Sequence, residues 1–313
     1  MEYTNLGRST MTVSKICLGT MHFGPKASEE ESHRILDRAL EMGITFIDTA
    51  NVYGADAGKG RSEEIIGTWL AGRPGVRDEI VLATKVGGGK GPVRNLRPET
   101  IEREAHASLE RLQTDRIDLY YAHFDDEEAP LEESLNAFDA LVRAGSVRHL
   151  GASNYTAERL TAALELQRAN GLAEFTVLQP HYNLLEREFE RRLLPVAEAW
   201  DLAVLPYYGL AKGFLTGKYR PGGEAVESAR AEGARVYLDD RGAAVLEALD
   251  EIAAAHGTTV AAVALAWLRA QPRVVGPIAS ARTIEQLEQI LPAATLELTP
   301  TEVERLSAAA PPA

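Results

Sequence analysis

The chain has a single cysteine, Cys17, in 313 residues. No internal disulfide can form and no cysteine-rich metal site can be assembled, so no metal is expected and a reducing compartment fits. Cys17 lies in the apolar run Lys15-Ile16-Cys17-Leu18-Gly19, where a buried core thiol is the plain reading. Long hydrophobic runs are missing too: none approaches the roughly 18 residues that would cross a membrane. The opening Met1-Glu2-Tyr3-Thr4-Asn5 has neither the basic start nor the apolar stretch of a secretory leader, so a cytoplasmic location is expected. Positive charge is in deficit, with 33 Lys and Arg against 46 Asp and Glu and a net charge of −13. That argues against nucleic-acid backbones and membrane surfaces as partners, while a small anionic ligand needs only a local basic patch.

What is present is an alternation of short apolar runs and longer amphipathic stretches. Strands are predicted at 16–18, 45–47, 80–84, 117–122, 149–152, 176–179, 203–206 and 274–278. Helices are predicted between and after them at 29–42, 62–71, 98–112, 131–144, 157–169, 189–200, 261–270 and 284–291. Pro98 suits a first helical turn, and Gly43 and Gly145 stand where C-terminal caps belong. Eight strand–helix units imply a parallel sheet closed as a (β/α)8 TIM barrel. The alternative, an open doubly wound sheet, lacks its glycine-rich G-x-G-x-x-G turn after the first strand. Length alone would allow two domains, but α/β barrels are the exception to that count, and no linker or repeat divides the chain. The expectation is one domain over residues 1–313. Residues 2–13 are read as a hairpin turning near Gly7-Arg8-Ser9 that plugs the lower end. Extra helices are expected at 242–255 and 300–309, and 211–240 reads as a long connection after the seventh strand.

At the C-terminal mouth of such a barrel, residues ending different strands are catalytic candidates. Asp48, Lys85 and His123 end three successive runs, and Tyr53 follows in the loop after Asp48. Phenol is normally a poor acid, with a pKa of about 10. A charged Lys85 beside Tyr53 would favour the phenolate and lower that value, with Asp48 holding the lysine in place. Tyr53 would then act as general acid towards a carbonyl oxygen that His123 orients. Such a site moves protons but contains no reductant, so a hydride donor must come from a cofactor. Singly, each residue has an ordinary reading: a structural histidine, a buried ion pair, a loop aromatic packed on Trp69. Their joint placement on adjacent units carries the argument.

Five segments then show a resemblance. Asp48-Thr49-Ala50-Asn51-Val52-Tyr53-Gly54 looks like the D-T-A-x-x-Y-G of the aldo-keto reductases. In the same order follow Ser62-Glu63-Glu64-Ile65-Ile66-Gly67, Ala83-Thr84-Lys85, Gly151-Ala152-Ser153-Asn154 and Gly213-Phe214-Leu215-Thr216-Gly217-Lys218-Tyr219. The chain resembles that family over essentially its whole length, including the potassium-channel β-subunit branch. The resemblance implies the tetrad Asp48, Tyr53, Lys85 and His123, with NADPH as cofactor. It implies Gly19, Thr20 and Met21 beneath the nicotinamide, Ser153, Asn154 and Gln179 on its carboxamide, and Tyr207 stacked on its ring. Tyr208, Leu210, Lys212 and Lys218 would line the pyrophosphate. Ser280, Arg282 and Gln286 would hold an adenosine 2′-phosphate at a helix start, Arg282 supplying a planar donor. Arg230 would close the long loop over the cofactor, or be a plain surface arginine.

Three departures from the family pattern stand out. The usual Tyr-Ser-Pro-Leu-Gly is Tyr207-Tyr208-Gly209-Leu210-Ala211, which puts a phenol for a serine and leaves the loop backbone less constrained. Gln289 and Ile290 stand where Glu and Asn often contact adenine. After His123, Asp125-Asp126-Glu127-Glu128 replaces a Pro-Asp, and these acids would either repel anionic substrates or be a solvated loop without influence. The expected function is NADPH-dependent reduction of an aldehyde or ketone, as a broad aldehyde reductase or a sugar or secondary-metabolite ketoreductase. The expected partner is a small carbonyl substrate, with the oligomeric state open. A second reading is a nicotinamide-binding regulatory subunit like the channel β subunits; without a segment ahead of the barrel to serve as an inactivating peptide, it is the less expected.

Overall fold

The computed structural model describes residues 1–54, 59–89, 95–220 and 231–311. A two-stranded antiparallel hairpin, β1 (Tyr3–Asn5) and β2 (Thr12–Ser14), comes first. Eight strands then follow in a second sheet: β3 (Cys17–Gly19), β4 (Phe46–Asp48), β5 (Val81–Val86), β6 (Ile117–Ala122), β7 (Val147–Ser153), β8 (Phe175–Gln179), β9 (Ala203–Val204) and β10 (Ile278–Ala279). Each is parallel to its neighbour, in sequence order, with β10 beside β3. The remaining seam is joined by backbone bonds from Val204 N–H to Arg273 O (2.9 Å), Val275 N–H to Val204 O (3.0 Å) and Ile278 N–H to Pro206 O (2.9 Å). The sheet therefore closes into the (β/α)8 barrel that the alternation predicts.

Helix ends are fixed by local chemistry. Ser28 and Thr156 cap helices Glu29–Glu41 and Ala157–Ala169 by accepting the N–H of Glu31 and Arg159. Gly43 and Gly145 take positive φ just past helices Glu29–Glu41 and Leu131–Arg143. Helices Asp240–His256 and Pro300–Ala309 appear as expected, the second with a Thr299–Glu302 capping box. Two expectations need correction. The helix expected over 189–200 is broken into Glu188–Arg192 and Leu194–Ala199, because Pro195 brings no N–H to continue the ladder. The connection 211–240 carries structure of its own, a 3-10 segment Ala211–Thr216 and a helix Ala231–Arg235. Short apolar runs cannot reveal such single turns.

Strand alternation separates two cores. Phe46, Ala83, Leu119, Val177 and Ala203 point into the barrel, and Leu6, Met11 and Val13 of the hairpin pack against that set from below. The hairpin is thus the plug expected of it. Cys17 belongs to the same layer and is fully buried. Residues one step away, such as Ile47, Leu82 and Tyr120, face outward into the larger core beneath the helices. By the same parity Asp48 and Lys85 point inward, one layer above Phe46 and Ala83.

The motif Ser62-Glu63-Glu64-Ile65-Ile66-Gly67 has a physical reason here. Glu63 is fully buried and accepts from Thr84 Oγ1 (2.5 Å) and Arg111 Nε (2.7 Å), tying β5 to helices Arg61–Ala71 and Pro98–Leu112. Gly67 lets those helices touch: a Cβ there would lie 2.0 Å from Arg111 O. Gly67→Ala is therefore expected to cost about 1–3 kcal/mol or more through overpacking. Urea unfolding would show it as a lowered midpoint, and an unchanged midpoint would contradict the close packing.

Candidate active site

Lys85 ends the inward face of β5 with no exposed surface, and all three of its donors are used inside the barrel mouth. Nζ bonds to Asp48 Oδ2 at 2.5 Å, to Thr49 O at 2.8 Å and to Tyr53 Oη at 3.3 Å. Asp48, at the end of β4, receives a second bond on Oδ1 from Gln179 Nε2 at 3.0 Å, from across the barrel. Tyr53 is carried by the tight turn after β4, held by Tyr53 N–H to Ala50 O (3.0 Å) and Thr49 Oγ1 to Ser62 Oγ (3.0 Å). His123 follows β6, its N–H on Val86 O at 2.8 Å. Its ring meets Tyr53 edge-on, with centroids 6.0 Å apart at 80°, and stacks on Phe124 at 5.0 Å. The four residues predicted from strand ends therefore converge.

Burial pushes the Tyr53 phenol above its ordinary pKa; Lys85 pulls the other way, Asp48 adds to the rise, and the net direction is up. This corrects the expectation that Lys85 leaves the phenol unusually acidic. The pull is there, but desolvation outweighs it. Burial also opposes the charge on Lys85, yet Asp48 and then Tyr53 overcome it and raise the lysine's pKa. Around neutrality the site thus holds a protonated phenol against a charged ammonium.

From this mouth a cleft of about 400 Å³ runs towards the start of helix Ile284–Ile290. Gly19, Met21, Asp48, Tyr53, His123, Ser153, Asn154 and Gln179 line its inner end. Tyr207, Tyr208, Leu210, Lys212, Lys218, Ser280, Arg282 and Gln286 line the rest. Of the residues expected there, Thr20 is not on the lining. Its hydroxyl turns inward, donating to Asp48 O (3.0 Å) and accepting from Ser62 Oγ (2.9 Å), so it braces the turn rather than meeting a ligand. Arg230 lies outside the described residues. Asn154 is largely a strut: Nδ2 donates to His123 O (2.8 Å) and Ser153 Oγ (3.0 Å), and Oδ1 accepts from Tyr207 Oη (2.7 Å). Burial pushes the Tyr207 phenol up to about 12, so that donor stays protonated.

The loop after β9 is not slack, as its glycine had suggested. Tyr208, Ala211 and Lys212 all take positive φ, and Asn183 Nδ2 pins Tyr208 O at 2.9 Å. Gly209 instead lets the loop press on Leu265 and Leu268, which a Cβ would approach to 3.1 and 2.9 Å. The acidic loop after His123 is likewise committed elsewhere. Asp125 pairs with Arg159 at 3.0 Å, and Asp126 accepts from the N–H groups of Leu96 (2.9 Å) and Glu128 (3.1 Å). None of the four acids lines the cleft.

Sequence reasoning missed His22, Phe124, Gly213 and Thr216 on the lining, and His181 just behind it. Phe124 and His181 were within reach, since each lies one or two residues past a strand end already chosen. Gln289 and Ile290, unlike the family pattern, do line the far wall.

The family model described as the Aldo/keto reductase family matches residues 15–311. The chain belongs to this family. It is 38% identical to the uncharacterized oxidoreductase YrpG of Bacillus subtilis, over 95% of this chain and 92% of that one. A norsolorinic acid reductase of Emericella nidulans is 34% identical, over 93% of this chain and 76% of its own. A probable aryl-alcohol dehydrogenase of Saccharomyces cerevisiae is 33% identical, over 91% and 89%. This aldo/keto reductase is thus related to oxidoreductases along nearly its whole length. No single helix among its described residues is long and apolar enough to cross a membrane.

Because Asp125 is held by Arg159 and is not on the cleft lining, Asp125→Asn is expected to leave the preference between neutral and anionic carbonyls unchanged. Its stability cost should stay within about 1 kcal/mol. Comparing kcat/KM for a neutral and a carboxylated aldehyde checks this.

Proposed function

We propose that the protein is an NADPH-dependent carbonyl reductase of the cytoplasm in which Tyr53 protonates the oxygen of an aldehyde or ketone. The observation that carries this reading is the phenol at the open end of a buried chain, with Tyr53 Oη 3.3 Å from a Lys85 ammonium that is itself 2.5 Å from Asp48. When bound, the dinucleotide supplies the hydride, which no side chain here can provide. Burial keeps the proton on Tyr53 until negative charge builds on the carbonyl oxygen. The phenol then yields it, and Lys85 stabilises the phenolate left behind. Asp48 keeps Lys85 charged, and His123, beside Tyr53, orients the oxygen.

The cleft's chemistry fits a phosphorylated dinucleotide. Gln179 lines the inner end of the cleft while bonding Asp48, and Tyr207 offers a fixed ring to stack on. Lys212, Lys218 and Arg282 put positive charge on the wall of an acidic protein, where a diphosphate and a 2′-phosphate would lie. The lone, buried Cys17 suits a reducing cytoplasm. Among the described residues, the lining beside the tetrad is Met21, His22 and Phe124, without lysine or arginine, which suits a neutral aromatic carbonyl. The name of the aryl-alcohol dehydrogenase relative points the same way.

Tyr53→Phe is expected to bind NADPH normally while losing carbonyl reduction; retained turnover would refute the role of Tyr53. Tight NADPH binding with no turnover by the native protein, across a panel of aromatic and aliphatic carbonyls, would favour a cofactor-binding regulatory subunit instead. Arg282→Ala should weaken NADPH about ten- to hundredfold, the worth of a charged hydrogen bond, and leave NADH unchanged. Titration of both nucleotides decides it, and equal losses would remove Arg282 from the 2′-phosphate.

A further inference from the structure

Behind the cleft wall, the His181 ring lies parallel to Tyr207, with centroids 5.3 Å apart and planes at 10°. Tyr208 meets the same imidazole edge-on at 5.5 Å and 76°. Tyr207 lines the cleft and His181 does not, so the tyrosine ring stands between the imidazole and any ligand. Tyr207 cannot easily turn away. Its hydroxyl is on Asn154 at 2.7 Å and its N–H on Pro180 O at 2.9 Å, in a backbone bridge with His181 itself. His181 Nε2 is buried and has no hydrogen-bond partner among the described residues. The groups around the imidazole are the Tyr207 and Tyr208 rings, Glu186 on the loop after β8, and Lys212 on the loop after β9. Glu186 is itself engaged by Tyr237 Oη at 2.7 Å.

We propose that His181 is a positioning residue that makes the cleft sensitive to the charge of the ring stacked on the front of Tyr207. Uncharged, it lets the tyrosine face attract a cationic, oxidised nicotinamide; protonated, it draws on the same ring from the opposite face and repels that cation. The reduced nicotinamide is neutral and is indifferent to the change. The proposal rests on the cofactor reading above. An aromatic face attracts a cation through its quadrupole, and a second cation on the opposite face opposes the first through a single ring thickness. Burial first, and then Lys212, hold the imidazole below its ordinary proton affinity, with Glu186 opposing, so the uncharged form prevails around neutrality and acid brings in the charge.

The test is calorimetric titration of the native chain with NADP+ and with NADPH from about pH 8 to about pH 5. The ratio of the two dissociation constants is expected to rise about tenfold towards acid, as NADP+ weakens relative to NADPH. The adenosine 2′-phosphate titrates in both nucleotides and cancels from the ratio. His181→Phe keeps a ring behind Tyr207 that cannot be charged, and its ratio should stay flat. His181→Gln removes ring and charge together, and its ratio should be flat as well, with both nucleotides bound more weakly. His22 and His123 remain in both variants, so an equal rise in either variant would overturn the proposal. So would a flat ratio in the native chain. If neither nucleotide binds the native chain, the cofactor reading falls first and the proposal with it.

Discussion

Everything at the mouth of this barrel is arranged around one buried ammonium. Lys85 has no exposed surface, and a lone charge in that position would cost several kcal/mol. It is tolerated because a carboxylate, a carbonyl and a phenol each take one of its hydrogens. Those partners come from the end of β4 and the turn after it, so the satisfaction of one charge dictates the path of residues 48–53. The turn is braced in its turn by Thr20 and Ser62, and the carboxylate by Gln179 from the far side of the barrel. A polar network this complete holds one geometry, since a half-satisfied alternative would be worse than none.

The cleft beyond it is divided by charge. Among the described residues, the lining close to the tetrad is aromatic and carries no lysine or arginine beyond the ion pair beneath; further out it carries lysines and an arginine. The two zones meet at Tyr207 and Tyr208. There the backbone is strained at three non-glycine positions and held by Asn183. Strain of this kind persists only when surrounding bonds over-determine it, and it tends to collect where a ligand must be gripped.

Much of this was legible in the residues. The order of apolar runs was enough to bring Asp48, Lys85 and His123 together, because neighbouring parallel strands all end at one mouth once the barrel closes. Helix ends such as Gly43 and Gly145 carried their own signatures. What was not legible depended on balances between large terms or on contacts distant in sequence. Lys85 does favour the Tyr53 phenolate, but only coordinates reveal that burial outweighs it. Thr20 and Asp125 carry the same chemistry whether they face a ligand or a neighbour such as Ser62 or Arg159. His181 was overlooked because its role comes from a stacking partner across a strand boundary, not from any motif.

The hairpin under the barrel has a consequence beyond stability. With Leu6, Met11 and Val13 filling the lower end, the barrel is a vessel with a floor, and its tetrad lies at the opposite, open end. A molecule that reaches Tyr53 through the cleft passes Phe124 and the tyrosines Tyr207 and Tyr208 on its walls. The side chains along those walls meet every molecule twice, on arrival and on release, so they act on turnover without touching the events at the base.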